Sequence, residues 1–319
     1  MASLAQRTAD DASDGESSGD DDSCDDFFPR VDPNCESDDD DGGGAAAPPR
    51  PLRRVGKAVA RVDAAALTAE AFLATYAAPR VPVVLEGAPQ PSHMTAAWWA
   101  ERYGHLKVPL DVNSPASVVA NLGAFLRGDA HRGRYLRNLH LREWFPGAED
   151  DVRLPAVLGQ NRLAAVETAP RAWKKWFELF VCRRECAGFP FLHRDACRTH
   201  AYSLQLEGSK QFTLFPPDDA RYLYVDRNRS AIDDVDAADA VDRFPLLRLA
   251  SPSTVVLGPG DTLFVPDGWW HVARCVSDAP SVTLGGNYVT DDNLDRFLDA
   301  FADFTALKAL RAVGAAAMH

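Results

Sequence analysis

The 319-residue chain has no run of about eighteen consecutive apolar residues, the length a helix needs to cross a bilayer. Its opening, MASLAQRTADDASDG, lacks the apolar stretch of a secretory leader. Cysteine is scarce and irregular. The six cysteines, at 24, 35, 182, 186, 197 and 275, do not have the even spacing of a secreted disulfide framework. Together these absences predict a soluble intracellular protein, nuclear or cytoplasmic, with no membrane partner. Basic stripes are missing too. The net charge is −12, but residues 1–42 hold fifteen Asp and Glu against two Arg, so this tail carries −13 and the remainder +1. Near neutrality in the part expected to fold argues against a nucleic-acid partner, which is held largely through phosphate contacts.

What is present divides into four stretches. Residues 1–52 are rich in Asp, Ser, Gly, Ala and Pro, a composition that cannot bury enough surface to offset ordering, and read as a disordered acidic tail. Ser13, Ser17, Ser18 and Ser23 each have an acidic residue three positions on, which suits an acid-directed kinase; the plainer reading is a solubilising tail. Residues 53–187 mix helix and strand signals. LTAEAFLATYA (67–77) and MTAAWWAERYG (94–104) read as Thr-capped helices, and RVPVVLEG (80–87) as a short buried strand. GRYLRNLHLREWF (133–145) mixes strand and loop, and APRAWKKWFELF (169–180) is a compact aromatic segment. From 188 to 290 short strands alternate with turns, the pattern of a sandwich or jelly roll, and 218–252 reads as a polar excursion. Residues 291–319 form an amphipathic helix with Leu294, Phe297, Leu298, Phe301 and Phe304 on one stripe, either core or a homodimer contact. The expected fold is mainly β with flanking helices, a jelly-roll core behind a disordered acidic tail.

Within FPFLHRDACRTHAYSLQLEGSKQFTLFPP (189–217), strand periodicity puts His193 and Asp195 on one face and Arg194 on the other. An H-x-D tripeptide alone is usually incidental, the His satisfied by a hydrogen bond and the Asp capping a turn. His271, in GPGDTLFVPDGWWHVARC, adds a second imidazole beside Trp269 and Trp270, where a packed core histidine is the competing reading. Two His and one carboxylate on neighbouring strands match the facial set of non-haem Fe(II) oxygenases. Gly208-Ser209 suits a two-residue hairpin that would pair 207 with 210, 205 with 212 and 203 with 214, placing Lys210 on the side of Ser203. Alone, Lys210 pairs with Glu207 in solvent; beside the metal set, its anion is the distal carboxylate of 2-oxoglutarate. Cys182, Cys186, Cys197 and His200 make a second candidate constellation, for zinc.

HRDACRTHAYSLQLEGSKQFTLFPP, GPGDTLFVPDGWWH and SVTLGGNYVTDDNL together resemble the Jumonji-C, cupin-like 2-oxoglutarate/Fe(II) oxygenases over roughly residues 80–300, as does RYLRNLHLREWFP. The step from His193 to Lys210 is similar to that of the small lysyl-hydroxylase and phosphatidylserine-receptor-like branches, and the excursion is similar to other small members, including one that modifies tRNA. The resemblance implies a double-stranded β-helix with His193, Asp195 and His271 as iron ligands. It further implies Lys210 as the 2-oxoglutarate anchor, with Ser203, Asn287 and Tyr135 as further cosubstrate contacts. Gly285 and Pro190 stand where some relatives carry Thr. Fe(II), 2-oxoglutarate and O2 are the implied cofactors. Succinate and CO2 would be released as a protein side chain, lysine among the candidates, is hydroxylated or N-demethylated; a tRNA substrate and a non-catalytic scaffold are the alternatives. Tyr202, Thr199, Trp269, Trp270 and Phe212 are candidates for a dry pocket wall or for ordinary core.

Overall fold

In a computed structural model, the described residues run from 56 to 316, apart from 113, 172, 187 and 190. The acidic tail with its four serines, Cys24, Cys35 and Pro190 lie outside the described residues.

Fourteen strands are described, and most form two sheets. The larger has the order β1-β2-β12-β7-β14-β6-β5. These are β1 (Ala60–Asp63), β2 (Val83–Glu86), β5 (Leu136–His140), β6 (Glu178–Cys182), β7 (His200–Glu207), β12 (Asp261–Val265) and β14 (Ser281–Tyr288). The smaller has the order β11-β8-β13, from β8 (Lys210–Phe215), β11 (Ser253–Leu257) and β13 (Trp270–Cys275). Two short pairs stand apart: β3 (Lys107–Leu110) with β4 (Val118–Asn121), and β9 (Val225–Asp226) with β10 (Arg229–Ser230). His193 links β13 to β10, bridging His271 on one side and Arg229 on the other.

Period-two alternation sorts the side chains of both sheets into layers. On the large sheet, Val83, Leu85, Leu179, Leu204, Val282 and Leu284 face an outer core. Helices α1 (Ala69–Phe72), α2 (Ala96–Tyr103) and α3 (Leu122–Arg127) close over that core with Phe72, Trp99, Tyr103 and Phe125. The other face meets the small sheet through Val84, Leu263 and Val265 against Phe212, Leu214, Val255 and Leu257. Two sheets packed face to face over a shared core are the jelly-roll arrangement.

The Thr caps fall where the spacing predicts. Thr68 accepts from Ala71 N and Thr95 from Trp98 N, each satisfying an amide that the helix leaves unpaired. After Phe72 the helix widens into a π turn over Leu73–Ala77. The stretch 133–145 resolves into β5 followed by one helical turn, Leu141–Trp144. The 218–252 excursion is less polar in effect than in composition, because Leu223, Ile232, Val235 and Leu247 pack on Phe215 and Trp270. In the C-terminal helix (Leu294–Ala316), Phe297 and Phe301 are buried against Trp173 and Trp176, so the stripe belongs to the core. Leu298 is 42% exposed and lies off that face.

One pairing differs from the expectation. β7 and β8 do not form a hairpin: β7 bonds to β12 and β14, whereas β8 bonds to β11 and β13. Gly208, at φ +64°, instead turns the chain from one sheet to the other, with Pro280 O only 2.4 Å from where a Cβ would sit. A two-residue Gly-Ser link looks the same locally in either role, and only the long-range partners separate them.

Candidate active site

His193 and His271 exchange backbone hydrogen bonds, His193 N donating to His271 O at 3.1 Å and His271 N to His193 O at 2.7 Å. That pairing aligns the two imidazoles, whose ring centroids are 4.3 Å apart. Asp195 stands two residues on, in extended conformation at the start of the turn Ala196–Arg198. It makes no side-chain cap hydrogen bond there, so its carboxylate is not consumed by the turn. The next turn residues, Cys197 at φ 50° and Arg198 at φ 56°, are left-handed without being glycine, a local strain beside the ligand. One donor atom from each of His193, Asp195 and His271 lies within 4.8 Å of the others, and His271 Nε2 is 3.9 Å from Asp195 Oδ2.

The protonation pattern suits a metal. His193 Nδ1 is 3.3 Å from Phe191 O and His271 Nδ1 is 3.4 Å from Trp269 O. A carbonyl can only accept, so each Nδ1 carries the proton and each Nε2 keeps its lone pair. Burial, seconded by the charge of His271, pushes the His193 pKa well below its ordinary value and keeps the ring neutral. Two imidazoles and one carboxylate fit a borderline divalent ion such as Fe(II).

The three side chains open into a cavity of about 120 Å³ between the sheets. Its floor holds Lys210, 2% exposed, whose Nζ donates to Tyr135 Oη at 3.3 Å and lies 5.6 Å from the centroid of the Phe180 ring. Burial lowers the Lys210 pKa from its usual value. No carboxylate pairs with it among the described residues. Glu207, the solvent partner open in the sequence, instead accepts from Ala96 N at the start of α2. An ammonium held in this way fits the distal carboxylate of 2-oxoglutarate.

Ser203 also lines the cavity, although the hairpin argument that put it beside Lys210 does not hold; both strands turn the relevant face inward from opposite sheets. Asn287 lines it as well and donates to Thr199 Oγ1 at 2.7 Å, so Thr199 holds Asn287 and does not itself form wall. Tyr202 borders the cavity, but its ring packs in the outer core against Phe177 and Tyr288. Phe212 is a wall residue. Trp269 and Trp270 are not. Alternation along β13 turns Trp270 away from His271 into the core under the excursion, and Trp269 Nε1 donates to Arg80 O.

Several lining residues were not singled out from the sequence. Thr283 shares the face of Gly285 and Asn287 on β14, and a Cβ on Gly285 would meet Phe180 at 3.1 Å. Trp176, Glu178 and Phe180 line the same wall at alternate positions, Glu178 and Phe180 from the neighbouring strand β6, with Glu178 Oε1 3.2 Å from His140 Nε2. The period-two signal in WFELF was available to find them, but nothing local tells which face of that strand meets the cavity. The zinc constellation does not form. Cys182 and Cys186 pack with Cys275 and Tyr135, Cys197 lies under the C-terminal helix, and His200 stacks near Phe264 and Tyr288. Among the described residues, His193, Asp195 and His271 are the one group of three or more such side chains close enough to share an ion.

Residues 112–289, more than half of the chain, match the family model described as a cupin-like domain. Bifunctional arginine demethylase and lysyl-hydroxylase psr-1 of Caenorhabditis elegans is 24% identical over 257 residues, covering 74% of this chain and 62% of that protein. tRNA wybutosine-synthesizing protein 4 of Gibberella zeae is 33% identical over 139 residues, 44% of this chain and 12% of its own length. tRNA wybutosine-synthesizing protein 5 of Mus musculus is 39% identical over 70 residues, 22% of each chain. The chain thus spans less than two thirds of the length of these relatives. No described helix is long and apolar enough to cross a membrane. With a jelly-roll core, a two-histidine, one-carboxylate cluster and this match over its central residues, the chain belongs to the cupin-like domain family, in its Jumonji-C type.

Proposed function

We propose that the protein is an Fe(II)- and 2-oxoglutarate-dependent dioxygenase that oxidises a protein side chain. Lysine is the candidate target; hydroxylation and N-demethylation are alternative outcomes of the same C–H oxidation. One observation carries this reading: the metal-type cluster and a buried lysine with no carboxylate partner open into a single cavity. A scaffold that never turned over would have no use for both.

His193, Asp195 and His271 would hold the iron. Bound there, Fe(II) supplies dioxygen activation coupled to decarboxylation of 2-oxoglutarate to succinate and CO2. The chain's own residues prepare that chemistry. Phe191 O and Trp269 O keep the protons on the Nδ1 atoms and leave the Nε2 atoms as ligands. Lys210 and Tyr135, with Ser203 and Thr283 nearby, receive the distal carboxylate. Phe180, Phe189 and Phe212 exclude water around it. The far end of the cavity, between Asn138, Trp176, Glu178 and Asn287, is left for the substrate side chain.

Anaerobic addition of Fe(II) and then 2-oxoglutarate tests this directly. A visible charge-transfer band that needs both, and is lost in His271→Ala, is the expected result. No band would end the oxygenase reading and leave a non-catalytic binding module. A tRNA substrate is the second reading, favoured by the two wybutosine-synthesis relatives. Succinate release stimulated by tRNA and not by lysine-containing peptides would select it.

A further inference from the structure

A second cavity, of about 220 Å³, lies beside the first and shares one wall with it: Asp195 lines both. Its other lining residues include Arg194, Arg198, Asn228 and, from the C-terminal helix, Asp303 and Phe304. Alternation along the ligand segment explains the placement, because Arg194 must point away from the face that carries His193 and Asp195.

Arg194 is held in position. Its Nε donates to Asn228 Oδ1 at 2.8 Å, its backbone N to Asn228 O at 3.1 Å, and its guanidinium lies 5.3 Å from the centroid of the Trp270 ring. Nε is thereby spent, while the two terminal nitrogens have no carboxylate partner among the described residues. Arg198 likewise has no ion pair among the described residues, and Asn293 Nδ2 fixes its backbone by donating to Arg198 O at 2.8 Å. Arg229, on the neighbouring bridge strand, lies over Phe191 and is also without a carboxylate. Elsewhere on the molecule arginines do find acids: Arg61 with Glu86 and Asp261, Arg132 with Glu185, Arg162 with Asp291, Arg296 with Asp267.

We propose that the Arg194–Arg198 cavity is an anion subsite that binds an acidic side chain of the protein substrate, next to the residue presented to the metal cavity. The proposal rests on the oxygenase reading for the identity of the second residue, but the subsite itself needs no turnover. A planar guanidinium with both terminal nitrogens open suits a carboxylate gripped at two points. A single acidic side chain fits better than a nucleic-acid backbone. Asp303 stands on the same cavity's wall and Asp226 is exposed on the strand before Arg229, so the basic area is confined and gives no track for successive phosphates.

The test is fluorescence anisotropy on the full chain without metal, using fluorescein-labelled hexaglutamate, hexaserine and hexauridylate as probes. Hexaglutamate is expected to bind at least about tenfold more tightly than hexaserine, and Arg198→Gln and Arg194→Gln each to remove most of that difference. Arg127→Gln, whose guanidinium pairs with Asp129 elsewhere on the surface, serves as the control and leaves binding unchanged. Equal binding of hexaglutamate and hexaserine overturns the proposal, as does a hexaglutamate preference that survives in Arg194→Gln and Arg198→Gln. Hexauridylate binding more tightly than hexaglutamate and falling in the same variants overturns it in favour of RNA. The Fe(II)/2-oxoglutarate band, recorded on the same samples, separates the two readings. A band without peptide discrimination removes only the subsite, and discrimination without a band removes only the oxygenase centre.

Discussion

Replacing Lys210 with Met should make the ligand-free protein more stable and its cosubstrate binding much weaker. The ammonium is 2% exposed, meets one phenol oxygen and two aromatic rings, and has no carboxylate beside it among the described residues. A cation buried in this way costs folding free energy that a methionine of similar length does not, and the gain should be about 1–3 kcal/mol. For a chain of this size that is a rise in Tm of roughly 3–8 °C. The pH dependence follows from the direction of the pKa shift. Burial lowers the Lys210 pKa below its ordinary 10.5, so between the lowered value and 10.5 the unfolded chain binds more protons than the folded one. Ligand-free wild-type stability therefore rises with pH across that window, and the advantage of Lys210→Met is full below the lowered pKa and vanishes above 10.5. Cosubstrate binding moves the other way. Losing one charge-assisted carboxylate contact costs about 1.5–3 kcal/mol, which is about a 10- to 150-fold weaker Kd for 2-oxoglutarate. Thermal melts across the pH range, with and without 2-oxoglutarate, read both effects. A ligand-free variant less stable than wild type, or one that binds 2-oxoglutarate as before, would show that Lys210 has a structural partner and is not an anchor.

Three further outcomes follow from particular contacts. Asp195→Asn should abolish Fe(II) binding, read by calorimetry, while leaving the Tm within a few degrees, because that carboxylate makes no cap hydrogen bond that the fold depends on. Gly286→Ala should cost about 3 kcal/mol in chemical denaturation, since its Cβ would sit 2.1 Å from Trp176 O and backbone on both sides must move; a cost under about 0.5 kcal/mol would refute that close approach. Phe297→Ala should cost about 3–5 kcal/mol and Leu298→Ala about 0.5 kcal/mol or less, because the first is fully buried and the second is 42% exposed. Equal, small costs with a change in oligomeric state would return the helix stripe to the role of a partner surface.

The candidate metal-ligating residues were legible because their signal is local. H-x-D puts two donors on one face over two residues, and a histidine in a Gly/Pro-bounded strand pattern supplies the third. Hydrophobic alternation likewise made the strands visible, and the Thr caps marked two helix starts. These features depend on backbone periodicity and on neighbours a few residues away. The pairing of strands does not. Gly208-Ser209 reads as a hairpin turn from its own chemistry, yet β7 and β8 go to different sheets because each pairs with strands about forty or more residues away in sequence. That choice also decides which face of each strand becomes cavity. Trp270 and Trp269, prominent beside His271, are turned elsewhere, while Thr283, Glu178 and Trp176 are brought in.

The amino-acid sequence by itself therefore determined the donor types, the lysine and the order of strands, all set by composition and short-range geometry. Only the tertiary structure decided that, among the described residues, the lysine has no carboxylate partner and two arginines beside Asp195 are left without acids. Charge compensation is a property of what lies within a few ångströms in space, and those neighbours come from distant parts of the chain.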